Sequence, residues 1–226
     1  MQEALTPLLL TLKVASLATF ASFAVGVTLA ALMARLRFPG RELADAVLTL
    51  PLVMPPTVLG YYLIVLLGRN GWIGRWLNET FGISLMFTWQ GAVVASAVVS
   101  LPLVFKSART AFESVDRNLE KAARTLGSSE LGVLLRISFP LAWRGILAGS
   151  MLAFARAMGE FGATLMVAGN LPGKTQTLSL AVYNAVQAGN GRLAAMLVLV
   201  ISTVCIVILV WSGKALKAEY IKGIES

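Results

Sequence analysis

Apolar residues fall in five long runs, at about residues 8–34, 46–67, 87–105, 137–167 and 193–211, with Lys, Arg, Gly and Pro gathered between them. A helix needs roughly 20 apolar residues to cross a bilayer, so each run is long enough for a membrane span. The run at 137–167 exceeds that length, and part of it is expected to lie along the surface or extend beyond the membrane. Lys13 interrupts the first run, and its long stem allows the ammonium to snorkel to an interface. No Lys or Arg precedes that run, which is too long for a signal-peptide core, so it is expected to be retained. The second run differs in kind. It reads LPLVMPPTVLGYYL, and Pro51, Pro55, Pro56 and Gly60 oppose a straight helix. Broken backbone survives at membrane depth only where protein or a water-filled cavity receives its polar groups. Pro55, Pro56 and Thr57 are therefore candidates for lining a pathway across the membrane, and a packing kink accounts for them equally well.

The polar interruptions set the orientation. Arg35, Arg37 and Arg41 surround a Pro39-Gly40 turn, the stretch 106–144 carries seven Lys or Arg, and the tail carries Lys214, Lys217 and Lys222. The two remaining loops hold only Arg69, Arg75, Lys174 and Arg192. By the positive-inside rule the stretch 106–144 and the C-terminus are expected in the cytosol and the N-terminus outside. Residues 68–86 then form an outer loop, with Trp72, Trp76 and Trp89 as interfacial anchors; the sequon match at Asn78-Glu79-Thr80 is too short to carry weight. Ser100 and Pro102 lie near the inner end of the third run, and Ser100 joins the pathway candidates.

Composition narrows the class. With 57% hydrophobic and 13% charged residues in 226, and a mean hydropathy of +0.78, the chain is expected to be an all-α integral membrane protein. The formal charge of +8 follows the topology and does not argue for nucleic-acid binding. Histidine is absent and Cys205 is the single cysteine, which excludes an intrachain disulfide, histidine-based metal sites and Ser-His-Asp or Cys-His catalysis. Neither catalysis nor a cofactor is expected of this chain. The segment AGNLPGKTQ, 168–176, imitates a phosphate-binding loop, but three residues rather than four separate Gly169 from Gly173-Lys174-Thr175, and Pro172-Gly173 reads as a turn.

Two small-residue lines, Gly26, Ala30, Ala34 and Gly145, Gly149, Ala153, Ala157, suit close helix contact. Between them in importance stand Arg156 and Glu160, charges that are costly inside a bilayer unless they face protein or water. At i, i+4 they can pair as a brace. The alternative is that Arg156 offers a cation to a passing anion, or that the pair breaks and re-forms as the bundle changes shape.

The stretch EKAARTLGSSELGVLLRISFP, 120–140, is the longest polar departure from the apolar pattern. Asp116 can cap a helix whose Leu119, Ala122, Ala123 and Leu126 make one apolar seam, Gly127 can close it, and Ser128 or Ser129 can start a second helix. The stretch resembles the EAA loop of ABC importer permeases, with Ala122, Ala123, Gly127, Ile137 and Pro140 at matching positions. Lys121 occupies the motif's Glu slot, and Glu120 lies one residue early. The resemblance implies a type I importer permease of about five transmembrane helices, one permease domain over 1–226 with its coupling loop at 106–144. Glu120, Ala122, Ala123, Gly127, Ile137 and Pro140 would couple it to a separate cytosolic ATPase.

Phe154-Ala155-Arg156 and Gly159-Glu160-Phe161-Gly162-Ala163 further resemble the segment shared by sulfate and molybdate permeases, and GEFGAT, PLVMPPTVLGYYL and LEKAARTLG look most like the molybdate branch. That branch implies a bacterial inner-membrane homodimer bound to cytosolic ABC ATPase subunits and supplied by an extracytoplasmic molybdate-binding protein. Alternating access would carry the oxyanion, and a homodimer needs a self-complementary face, which the small-residue lines could supply. Sulfate, thiosulfate or tungstate is the alternative cargo. A secondary anion transporter is the rival class, without visible inverted repeats.

Overall fold

A computed structural model describes residues 2–36 and 38–222, with side chains for 4–36, 38–210 and 213. Arg37 and the side chains of Lys214, Lys217 and Lys222, which entered the charge count, lie outside these. All regular structure among the described residues is helical. The chain runs α1 (Gln2–Arg35), α2 (Arg41–Val53), α3 (Pro56–Leu67), α4 (Trp72–Phe81), α5 (Trp89–Glu113), α6 (Arg117–Thr125) and α7 (Glu130–Val133). A π-helical turn (Leu134–Ser138) leads into α8 (Phe139–Met158), followed by α9 (Gly162–Ala168), α10 (Leu178–Gln187) and α11 (Gly191–Lys222). Among the described residues four helices are long and apolar enough to cross a membrane, and α2 with α3 makes a fifth span if the bent pair crosses once.

Helix α5 is the centre of the bundle, in contact with α1, α8, α9 and α2. It starts where Thr88 caps it, Oγ1 accepting from the amide of Gly91 at 3.2 Å, and it continues to Glu113 rather than ending near Phe105. Small residues bring its neighbours close. A Cβ at Gly145 would stand 2.6 Å from that of Ala111, and one at Gly26 would stand 3.2 Å from that of Val104. Both small-residue lines are thus used within one chain, α1 on α5 and α8 on α5. They serve as the helix-contact faces expected of them, and the close backbone approach is spent on intrachain crossings.

The second apolar run is broken, as its prolines require. The chain bends by 117° between α2 and α3, across Met54 and Pro55. Helix α2 buries no residue and is tied to the end of α5 by ion pairs, Arg41 to Glu113 at 2.8 Å, Lys106 to Asp45 at 2.6 Å and Arg109 to Asp45. Helix α3 instead packs Leu59, Leu63 and Leu67 on Ala95, Val99, Ala163 and Val167.

The fourth run is also discontinuous. Helix α8 stops at Met158 and α9 begins at Gly162, so its surplus length is taken up by a break in the chain and not by one overlong helix. The loops between spans hold helices of their own, α4 and α10. The latter joins α1 and α11, its Leu178 amide donating to Thr11 Oγ1 at 2.8 Å. Lys13 lies 3.5 Å from the centroid of the Trp89 ring, so the snorkelling ammonium ends on an aromatic face.

Candidate functional site

The polar stretch folds as a helix, a glycine turn and a second helix. Asp116 caps α6 by accepting from the Asn118 amide at 2.8 Å. Gly127 closes it at φ +85°, with its own amide on the Arg124 carbonyl at 3.0 Å and the Ser128 amide on the Ala123 carbonyl at 3.0 Å. Ser129 caps α7 through the Gly132 amide at 3.2 Å. Pro140 falls in the first turn of α8, directly after the π turn, and Ile137 is half-buried in that turn.

The apolar seam, however, faces away from the bundle. Of Leu119, Ala122, Ala123 and Leu126 only Ala123 is buried, while Leu119 is 49% and Leu126 86% exposed. Leu131 and Leu135, on α7 and the π turn, are exposed as well. Inward on α6 the chain turns Glu120, whose carboxylate accepts from Ser138 Oγ at 2.5 Å and from Arg35 Nη2 at 3.2 Å. Arg124 pairs with Glu130 at 2.6 Å, and this hydrogen bond raises the proton affinity of the guanidinium further, so the pair stays charged at any physiological pH. The result is a ridge of leucines outward and a polar underside inward. In the sequence Arg35 reads only as a topology marker and Ser138 carries no signal; their partner Glu120 is 85 and 18 residues away, and no local pattern links them.

The pathway candidates divide. Pro55, Pro56 and Thr57 are exposed at the α2–α3 bend, and Pro56 lies against the α9 start, where a Cβ at Gly162 would meet that of Pro56 at 2.7 Å. The two chain breaks therefore coincide. Glu160 sits in the second break, 2% exposed, and one carboxylate answers two demands: Oε2 accepts from Arg156 Nη1 at 2.8 Å and Oε1 from the Ala163 amide at 2.8 Å, at the first turn of α9. Arg156 keeps 36% of its side chain exposed. Ser100 is elsewhere. It is fully buried between α5 and α1, its hydroxyl on the Ser96 carbonyl at 2.8 Å and 3.0 Å from Ser22 Oγ, so in this conformation it faces a helix contact rather than open space. In the phosphate-loop look-alike the amides of Lys174, Thr175 and Gln176 all turn onto the Leu171 carbonyl at 2.9 to 3.1 Å, a closed turn with no open cradle of N–H groups.

Known proteins resemble this arrangement along its length. The chain is 48% identical over 194 residues to the molybdenum transport system permease protein ModB of Escherichia coli K12, covering 86% of this chain and 85% of that one. It is 42% identical over 218 residues to ModB of Haemophilus influenzae, covering 95% of each. The sulfate transport system permease protein CysT of Salmonella typhimurium is 36% identical over 177 residues, 78% of this chain and 64% of that one. Among solved structures, the MetNI methionine ABC transporter in an inward-facing form matches with a TM-score of 0.73 at 17% identity, over 96% of each chain. A bacterial alginate ABC transporter matches with a TM-score of 0.79 at 14% identity, over 96% of this chain and 80% of that one. The fold is that of the ABC importer permeases. Residues 26–218 match the family of binding-protein-dependent transport system inner membrane components, and the chain belongs to that family.

Proposed function

We propose that this chain is the permease subunit of an ATP-driven molybdate importer, working as a homodimer on two cytosolic ATPase subunits. The observation that carries the cargo is the identity with ModB of two organisms across most of the chain, above the identity with the sulfate permease CysT. The observation that supports coupling is the leucine ridge of α6, α7 and the π turn, a large apolar surface left open on an otherwise polar loop. A groove on an ATPase would cover Leu119, Leu126, Leu131 and Leu135, and Ala122 would let the two backbones approach. Arg35, Arg41, Glu113 and α6 are held at one end of the bundle by their ion pairs, in keeping with a cytosolic face there and an N-terminus on the other side. An extracytoplasmic molybdate-binding protein would deliver to that other side.

Alternating access then has identifiable parts. ATP-driven closure of the ATPase pair moves the two α6–α7 units, and the bundles turn about the dimer axis. The bend at Pro55 to Thr57 and the partly open Arg156 are the elements placed to line the route, with Glu160 keeping Arg156 oriented and limiting its charge. A pathway of this kind needs no tight oxyanion site, because strong binding slows release. Since both small-residue lines are occupied within the chain, the exposed apolar residues of α2, Leu43, Val47, Leu50 and Val53, are the face proposed for the second copy.

Uptake of labelled molybdate at nanomolar concentration, in cells with and without this chain, tests the reading. Uptake that is lost on deletion, resists excess sulfate and is competed by tungstate is the expected result. Strong competition by sulfate would move the cargo to the sulfate alternative, and uptake indifferent to the chain would remove the oxyanion reading.

A further inference from the structure

We infer that Arg35, Glu120 and Ser138 form a latch that fixes the attitude of α6 against the end of α1, so that movement imposed on α6 passes to the longest helix of the frame. This rests on the reading of α6 as the helix that docks on the ATPase. Apolar packing does not hold α6 in place, since Ala123 is its one buried residue. Its polar underside does. Arg35 is the last residue of α1, and its guanidinium reaches three separate pieces of chain: Glu120 Oε1 at 3.2 Å, Ser138 Oγ at 2.8 Å and the Glu130 carbonyl at 3.2 Å. Ser138 is buried at 2% exposure and donates to the same Glu120 oxygen at 2.5 Å. Side-chain exposure of 23% for Arg35 and 16% for Glu120 shields the pair from water, which separates it from an ordinary surface salt bridge.

The geometry also accounts for the acid's displacement from the usual motif position. Successive residues on a helix project about 100° apart. Lys121, in the motif's Glu slot, points to solvent, whereas one residue earlier the carboxylate turns under α6 towards α1. The π turn at Leu134–Ser138 completes the latch by presenting Ser138 from the entry to α8. One guanidinium thus joins α1, α6, α7 and the approach to α8. Arg35, Glu120 and Ser138 are positioning residues, and none of them belongs to the leucine ridge.

The test uses the complex with its ATPase subunits in lipid nanodiscs, with C205S removing the native cysteine and spin labels on T28C of α1 and K121C of α6. The latch predicts a narrow label-to-label distance that is the same with and without ATP, because α1 and α6 move as one. R35Q and E120Q are each expected to broaden the distribution. In proteoliposomes each should raise ATP hydrolysed per molybdate imported by about tenfold, the shift that loss of one charge-assisted hydrogen bond can produce. The charge swap R35E with E120R should narrow the distribution and restore the ratio, a rescue that general destabilisation would not give. E120Q is isosteric and keeps the experiment decisive if R35Q assembles poorly. Parent-like distances and ratios in both single variants, or an α1-to-α6 distance that changes with ATP in the parent, would overturn the latch. Absence of molybdate uptake by the parent would count against the cargo alone, since the distance measurements do not depend on it.

Discussion

The α6–α7 turn and the meeting of the two chain breaks, α2–α3 with α8–α9, are both departures from regular helix, and they are built by opposite means. At the turn every departure is satisfied by a neighbour in sequence: Asp116 and Ser129 cap, Gly127 takes the left-handed conformation, and its apolar side chains are left uncovered. At the breaks the satisfaction is tertiary. Pro56 rests on Gly162, and a buried carboxylate serves both a cation one turn back and an amide at the start of α9. The turn between α6 and α7 is therefore shaped by local rules, while the irregular backbone at the two breaks is held by contacts from elsewhere in the chain.

Three substitutions sharpen that contrast, in order of expected effect. At Gly127, φ +85° excludes a β-branched side chain at little cost to the rest of the bundle, since nothing lies within 4 Å of a Cβ there. Gly127→Val should therefore leave insertion intact and uncouple hydrolysis from transport, measured as molybdate uptake at normal expression against ATPase rate. Unchanged uptake would show that the turn does not set the docking geometry.

At the breaks the effect should fall on stability instead. Glu160→Ala removes a buried partner of Arg156 and an acceptor for the Ala163 amide; discounting for the open side of Arg156, the cost is about 2 kcal/mol. Thermal unfolding in detergent should show the loss, and Glu160→Gln, which keeps an acceptor, should recover part of it. A Glu160→Ala protein as stable as the parent would reduce the pair to a surface-like bridge.

The smallest effect is expected at Ser100→Ala, about 1 kcal/mol for a neutral buried hydrogen bond between α5 and α1, with uptake unaltered. Altered cargo selectivity in this variant would return Ser100 to the pathway.

Legibility in the sequence followed the range of the interactions. The caps of α6 and α7, the turn at Gly127 and the break at Pro55 rest on residues a few positions apart, and each was readable in advance. The orientation of α6 was not. The Leu-Ala seam marked one face without saying what lies opposite it, and the structure turns Glu120 inward and the leucines out, because Arg35 and Ser138 wait on that side. The small-residue lines were legible as contact faces but not as to partner, since glycine opposite Ala111 or Val104 looks the same in sequence as glycine opposite a second copy.

By itself the sequence determined the class of the molecule: apolar run length, charge placement and the absence of histidine depend on transfer free energies and side-chain chemistry that need no fold. The tertiary structure alone decided which faces remain free, that the fourth apolar run divides at Gly159 to Phe161, and that one arginine at the end of α1 holds three distant segments. Those outcomes turn on contacts between residues far apart in the chain, and only the packed bundle brings them within hydrogen-bond reach.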